Sequence, residues 1–292
     1  MARLAQQTVN GLSIGSIYAL VAVGYSLIYS ILQFSNFAHG SFLAAGAYSG
    51  FFLLTMTSLP VYVSIPLAFA FSGIMAAIVE RLAYRPIRAR GGRTLYFIIA
   101  SMGVSIFCEH FTIAGIGAQY RTYPTLLPYR SFEVGGFSIG ILDIVSAVVA
   151  IISLAGLQYF ITRTKTGTAI RAAAFDLQIA GVMGINVDRI LTVVFLFAGT
   201  LAGIAGIILG IKYTVYPQIG YLTTKAFVGA VFGGLGSMPG AIVGSLLLGL
   251  IETYTAAFIS STMRDLVVFV ALILVLLVRP NGLMGVYTEE KV

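Results

Sequence analysis

The sequence predicts an all-α polytopic membrane protein, with about eight transmembrane helices and one partial or broken segment. Three observations predict it. First, only 9% of the 292 residues are charged while 59% are hydrophobic, and mean hydropathy is +0.98. Soluble chains run at roughly 25% charged, and a core this large could not be covered by so few charges, so the outer surface faces lipid. Second, the apolar runs are long and continuous, as in 190–211 and 265–278, unlike the alternating strands of about ten residues that build a barrel. Third, the basic residues gather between the runs, so the net charge of +7 is explained by topology rather than by nucleic acid.

The opening Met-Ala-Arg-Leu-Ala-Gln-Gln lacks a cleavage site after a short apolar region and is expected to be mature sequence. The candidate spans are 8–31, 36–56, 61–83, 94–118, 140–161, 190–212, 222–236, 239–259 and 264–279, within one transmembrane domain covering 1–292. The segments 222–236 and 264–279 are short against the roughly 20 residues a full span needs. Between the spans, 81–93 carries Arg81, Arg85, Arg88, Arg90 and Arg93, 162–189 carries Arg163, Lys165, Arg171 and Arg189, and the C-terminal tail opens with Arg279. All three are expected to be cytoplasmic. The loop 119–139, with Arg121 and Arg130 offset by Glu133, then lies outside, as does the N-terminus, and the C-terminus is cytoplasmic. Trp is absent, so the sixteen Tyr supply any aromatic belt. Cys108 is the lone cysteine, and no internal disulfide can form.

The link after the first span, Leu32-Gln-Phe-Ser-Asn-Phe-Ala-His-Gly-Ser41, holds no charge, whereas 81–93 holds five Arg. A chargeless turn fits at membrane depth, against packed protein or a cavity, with Ser35 or Asn36 capping a helix that starts near Phe37. Gly233 to Gly240 has the same character, chargeless, Gly-rich and interrupted by Pro239. Paired breaks of this kind point to a translocation path. They suggest an internal repeat of 8–83 with 222–279, both running in the same direction. Asn36, His39, Gly40, Ser41, Gly234, Gly236, Ser237 and Pro239 are the path-lining candidates. His39 reads equally as a group satisfied within a buried turn.

Small-xxx-small spacing at Gly46/Gly50, Gly199/Gly203 and Gly206/Gly210 lets helix backbones approach closely, within this chain or against a partner subunit. Glu109 and His110 are adjacent in 94–118 and point about 100° apart, so they read as structural or interface groups before transport groups. Glu252 reads the same way, and Arg264-Asp265 caps the last helix. Two histidines are too few for a metal site, which takes three or four ligands.

The connection 164–188 is longer than a helix–helix link needs. Thr168 is expected to cap a short helix reaching Phe175. Asp176 caps a second that stops at Gly184, and Asn186 caps the next span with Asp188 in its first turn. Ile170, Ala173, Ala174 and Leu177 share one side. Arg171, Phe175 and Gln178 face outward, as suits insertion into a groove of another protein. An interfacial helix lying on lipid would carry more Lys and bulky apolar residues.

Here a resemblance emerges. Asn10-Gly-Leu-Ser-Ile-Gly-Ser-Ile-Tyr-Ala-Leu20, Ser35-Asn-Phe-Ala-His-Gly40, Arg171-Ala-Ala-Ala-Phe-Asp176 with Gly184-Ile-Asn, Lys225-Ala-Phe, Gly233-Gly-Leu-Gly-Ser-Met-Pro-Gly240 and Arg279-Pro-Asn-Gly-Leu-Met-Gly285 follow one another along nearly the whole chain. Together they resemble the LivH-type permeases of branched-chain amino acid ABC importers. The resemblance implies a non-enzymatic permease in the bacterial inner membrane. Its partners would be a LivM-type permease or a second copy, two cytoplasmic ATPase subunits and an extracytoplasmic substrate-binding protein. Loop 162–189 would dock on the ATPases through Arg171, Phe175, Asp176, Gln178 and Gly184. The chain has no Gly-x-x-x-x-Gly-Lys-Ser/Thr loop, so ATP is expected to be hydrolysed by the partners, with no cofactor bound here. A related permease for urea, short amides, sugars or nucleosides is the alternative within the superfamily. A stand-alone secondary transporter is the alternative outside it.

Overall fold

The computed structural model describes residues 2–126, 131–134 and 137–285; Arg130 and the tail beyond 285 lie outside them. All nine apolar segments form helices. They are α1 (Ala2–Leu32), α2 (His39–Met56), α3 (Val61–Val79), α5 (Thr94–Ile116), α6 (Ile141–Arg163), α9 (Val187–Lys212), α10 (Thr223–Gly233), α11 (Met238–Phe258) and α12 (Arg264–Val278). Beyond α3 the chain continues through a π-helical turn, Glu80–Tyr84, into α4 (Arg85–Ala89). Two short helices, α7 (Lys165–Phe175) and α8 (Leu177–Val182), join α6 to α9. A small antiparallel hairpin, β1 (Ser131–Val134) with β2 (Phe137–Gly140), lies in the loop between α5 and α6.

Among the described residues six helices are long and apolar enough to cross a bilayer, α1, α3–α4, α5, α6, α9 and α11, fewer than the eight expected. The shortfall has local causes. α2 starts only at His39, because the preceding residues are used by the turn. α10 ends at Gly233 where Gly234 adopts φ +114°, and its 11 residues span about 16 Å, roughly half the hydrocarbon thickness.

α1 and α9 are the most buried of these spans. α1 packs on α10 and α11, while α9 packs on α2 and α3. Close backbone approach permits both seams. A Cβ on Gly46 would lie 2.3 Å from Gly203 Cα, one on Gly199 2.4 Å from Ala76 Cβ, and one on Gly206 2.1 Å from the Leu43 carbonyl oxygen. The small-residue motifs therefore serve packing within this chain. α5 and α12 stay peripheral, with Phe107, Phe111 and Leu277 exposed.

Three polar clusters staple the helices. Near the start of α1, Asp143 pairs with Lys212 (2.6 Å) and accepts from Ser13 (2.7 Å), joining α1, α6 and α9. Glu252 pairs with Lys225 (2.7 Å) and Arg264 (3.4 Å) and accepts from Tyr18 (2.9 Å). Asp265 pairs with Lys225 (2.8 Å), so Glu252 is structural as expected, but Arg264-Asp265 does not cap α12: its N-cap is Met263 without a side-chain bond, and the pair is spent on these ion pairs instead. At the end carrying the basic loops, fully buried Glu80 meets Arg88 (3.0 Å) and Thr192 (2.9 Å), and Asp188 meets Arg88 (2.6 Å) and Arg85 (2.7 Å). Tyr123, in the loop after α5, donates to the Ala47 carbonyl (2.7 Å), and burial pushes its hydroxyl pKa up, keeping it a neutral donor.

Candidate functional site

The link between α1 and α2 is held from two sides. Gln33 turns the chain out of α1 at φ +52°. Asn36 Oδ1 accepts from the Ala38 N–H (3.1 Å) and from the Tyr84 hydroxyl (2.7 Å), and the Phe37 N–H donates to Ser101 Oγ (3.2 Å). Ser101 lies seven residues into α5, so the link sits about 10 Å inside the bundle from the start of that helix. Phe34, Asn36 and Ala38 are all under 3% exposed, as a turn within packed protein requires. The expected cap does not form. The N-cap is Ala38, without a side-chain bond, and α2 begins two residues later than predicted, because the Asn36 oxygen serves its own turn and Tyr84.

His39 is fully buried, its ring 4.4 Å from that of Tyr25 and seated against Gly24, where a Cβ would come within 2.8 Å of it. The next residue, Gly40, meets Gly220 back to back: a Cβ on either would lie 2.7 Å from the other's carbonyl oxygen. Gly220 belongs to a 3-10 turn, Pro217–Leu222, inside the non-α-helical stretch between α9 and α10. The break that meets the start of α2 is therefore 213–222, not Gly233–Gly240.

Gly233–Gly240 closes the far end of α10 instead. Gly234 and Gly236 both have positive φ, and Ser237 Oγ accepts from the Gly240 N–H (3.2 Å) to cap α11, with exposed Pro239 in its first turn. The carbonyls of Phe232 and Gly233 accept from the N–H groups of Leu283 (3.0 Å) and Met284 (2.8 Å). This turn is a clasp for the chain after α12.

A cavity of about 950 Å³ opens between α5 on one side and α2, α3 and residues 217–224 on the other. Gly40 and Ser41 lie on its wall, but Asn36, His39, Gly234, Gly236, Ser237 and Pro239 do not. Of those six, Asn36 bonds Tyr84, His39 packs against Gly24 and Tyr25 of α1, and the Gly233–Gly240 turn holds the chain after α12. Most of the wall is apolar, with Phe37, Phe52, Met75 and Met102 among its residues. Glu109 is the one charged wall residue among those described. Gln218 Nε2 donates to its Oε1 (2.9 Å) and the Tyr221 hydroxyl to its Oε2 (3.3 Å). Sequence reasoning set Glu109 aside and missed Gln218 and Tyr221. The available signal was an acid in the middle of an apolar helix, which is costly unless used.

The short helices form a separate module at the basic end. Thr164, not Thr168, caps α7 by accepting from the Gly167 N–H (2.9 Å), because the turn out of α6 places it there first. Asp176 caps α8 through the N–H groups of Gln178 and Ile179 (both 2.8 Å), Gly184 stops it at φ +84°, and Asn186 caps α9. Ile170 and Ala173 are buried, and Phe175 is 88% exposed, as expected. Gln178 and Arg171 are exposed too, yet the Arg171 guanidinium donates to the Ile161 carbonyl at the end of α6 and so also closes that helix. Val182 and Met183, 87% and 77% exposed, extend the apolar surface beyond the expected residues.

The family described as "Branched-chain amino acid transport system / permease component" matches residues 7–277. The chain is 40% identical to the high-affinity branched-chain amino acid transport system permease protein BraD of Pseudomonas aeruginosa, over 98% of this chain and 97% of that one. It is 36% identical to the corresponding LivH permease protein of Escherichia coli, with the same coverage. In fold it is similar to PsaBC from Streptococcus pneumoniae, with a TM-score of 0.51 over 93% of this chain and 91% of the other at 11% identity. A match along nearly the whole length, on a helical body with one cavity wall and one projecting module, leaves no ambiguity of family: the chain belongs to the permease components of branched-chain amino acid transport systems, and it is a multi-pass membrane protein.

Proposed function

We propose that this chain is the membrane-spanning subunit of an ABC importer that moves branched-chain amino acids across a bacterial inner membrane. A second permease subunit, LivM-type or another copy, completes the path against α5. Two cytoplasmic ATPase subunits take up the α7–α8 module, and an extracytoplasmic binding protein supplies substrate. The basic end of the bundle is cytoplasmic, which puts the N-terminus outside and the C-terminus inside. The observation that carries this reading is the near full-length identity to permeases named for these substrates. Two features agree with it. The cavity is apolar and large enough for an aliphatic side chain. The α7–α8 module presents Phe175, Val182 and Met183 to a partner rather than to its own bundle.

In this reading the permease needs no catalytic group. ATP binding and release on the partners move α7 and α8. Motion reaches the cavity because α8 runs into α9, and Asp188 at the head of α9 is tied through Arg88 to Glu80, beside the α3 residues that wall the cavity. Reconstitution of the complete importer in proteoliposomes tests the reading. ATP-dependent leucine uptake is expected, abolished when the ATPase subunits are omitted. Leucine uptake by this chain without any ATPase would reject it in favour of a stand-alone transporter. Receptor binding of urea or a sugar in place of leucine would reject the substrate.

A further inference from the structure

Glu109 is a carboxylate inside an apolar helix, about 22 Å along α5 from Thr94, and it faces the cavity. No salt bridge reaches it among the described residues. The other intramembrane acids differ, since Asp143 and Glu252 each hold a Lys at 2.6–2.7 Å. Gln218 and Tyr221 orient both carboxylate oxygens but bring no charge. An ion at this depth without a counter-ion is costly, and the commonest remedies are a pairing group or a ligand. A second, independent feature lies on the facing side of the same cavity, on α2. Tyr48 is 4% exposed, and its hydroxyl has no hydrogen-bond partner among the described residues. An unpaired buried hydroxyl is a donor awaiting an acceptor.

We propose that this cavity is a binding site for a zwitterionic α-amino acid within the permease itself. Glu109 takes the substrate ammonium, the Tyr48 hydroxyl donates to its carboxylate, and the aliphatic side chain lies on the apolar wall. The proposal rests on the import reading above and adds to it that the permease, not the binding protein alone, recognises the substrate. Gln218 and Tyr221 are positioning residues, fixing the Glu109 carboxylate toward the cavity. Glu109 thereby makes the site selective for the ammonium group. A ligand of the same shape with a hydroxyl in that place can donate a hydrogen bond but leaves the carboxylate without a counter-charge.

The test uses the permease complex with its ATPases in nanodiscs, without the binding protein. Radiolabelled leucine binding is measured directly, and 2-hydroxy-4-methylpentanoate, which lacks the ammonium, by competition. A charge-assisted bond predicts that the wild type prefers leucine by about ten- to a hundredfold. Glu109→Gln should erase that preference, lowering leucine affinity to that of the hydroxy acid, and Tyr48→Phe should weaken both ligands alike. A Glu109→Gln complex that keeps the preference, or loses affinity for both ligands equally, overturns the proposal. Should Glu109→Gln fail to assemble, Glu109→Asp keeps the charge and is expected to keep the preference; its loss there overturns the proposal too. A wild-type importer that moves no leucine with binding protein and ATP present rejects the import reading and this site with it. A wild type that imports leucine beside an equally selective Glu109→Gln variant rejects the site alone.

Discussion

Gly40 shows how much one residue can fix. Its backbone presses on Gly220, and each glycine is the other's only possible neighbour at that distance. Gly40→Ala would force two backbones apart in a packed core and should destabilise the protein by about 1–3 kcal/mol, read as a lower Tm in detergent. Gly40→Leu should abolish leucine uptake in the reconstituted importer. Normal uptake by the Leu variant would mean that the two breaks are not in tight contact in the membrane. Glu80 makes the same point for charge. It is fully buried and relies on Arg88 and Thr192. Arg88→Met leaves that carboxylate unpaired and should cost about 3–5 kcal/mol. The double variant Glu80→Gln with Arg88→Met should recover most of the Tm. If the double variant is as unstable as the single one, the loss came from packing of the Arg stem rather than from charge. These residues differ in legibility. The chargeless string around Gly40 marked the first break in sequence, but Glu80 sits at the edge of a basic loop, where it reads as an ordinary surface charge. In the structure it opens the π-helical turn Glu80–Tyr84 and is buried there.

At the scale of elements, the α7–α8 module was the easiest part to read. Asp176, Asn186 and Gly184 act where their side-chain chemistry demands, and only the Thr168 cap moved, to Thr164. Caps are local, so the residues that make them are neighbours in sequence. Asp176→Arg removes the α8 cap, worth about 1 kcal/mol, and places a cation on the surface proposed to dock the ATPases. The variant is expected to insert normally and to retain ATP hydrolysis while losing most leucine uptake. Asp176→Asn, which keeps a capping oxygen, should transport nearly as well as wild type. Unchanged uptake in Asp176→Arg would remove the docking role. The Gly233–Gly240 turn was read less well. Its glycines announced a break, and the break is there, but its partner is the Leu283–Met284 segment, some fifty residues downstream. The opposite error applies to 213–222. Its sequence, Tyr-Thr-Val-Tyr-Pro-Gln-Ile-Gly-Tyr-Leu, looks like an ordinary connection, and nothing local says that it descends to meet Gly40.

The whole molecule joins these pieces in a crossed arrangement. α1 and α11 run antiparallel, with Gly11 beside Leu250 and Gly15 beside Leu246, and α9 and α3 run antiparallel, with Gly199 beside Ala76 and Gly203 beside Ser72. Each long buried helix thus clasps the hairpin that follows the other one. α1 leads through a broken link to α2 and α3, and α9 leads through a broken link to α10 and α11. α1 and α9 run in opposite directions, with Lys212 beside Ser13 and Ala198 beside Gly24, so α1–α3 and α9–α11 cross the bundle in opposite senses. The two links enter from opposite ends and meet at Gly40 and Gly220, and the cavity lies beside that meeting point, where α5 stands off the body. If the cavity is the aqueous route, its wall must admit a small polar reagent while the α10–α11 seam excludes it. In a Cys108→Ala background, single cysteines at Ser41, Thr112 and Thr224 on the wall should react with a small water-soluble thiol reagent. A cysteine at fully buried Ser245, packed against Gly229, should stay unreactive. Leucine should slow labelling at Ser41 and Thr224, since bound substrate covers them. Silence at all three wall positions would make the cavity a lipid-filled or subunit-filled groove and would move the route elsewhere, whereas equal reactivity at Ser245 would mean that the crossed seam opens as readily as the wall.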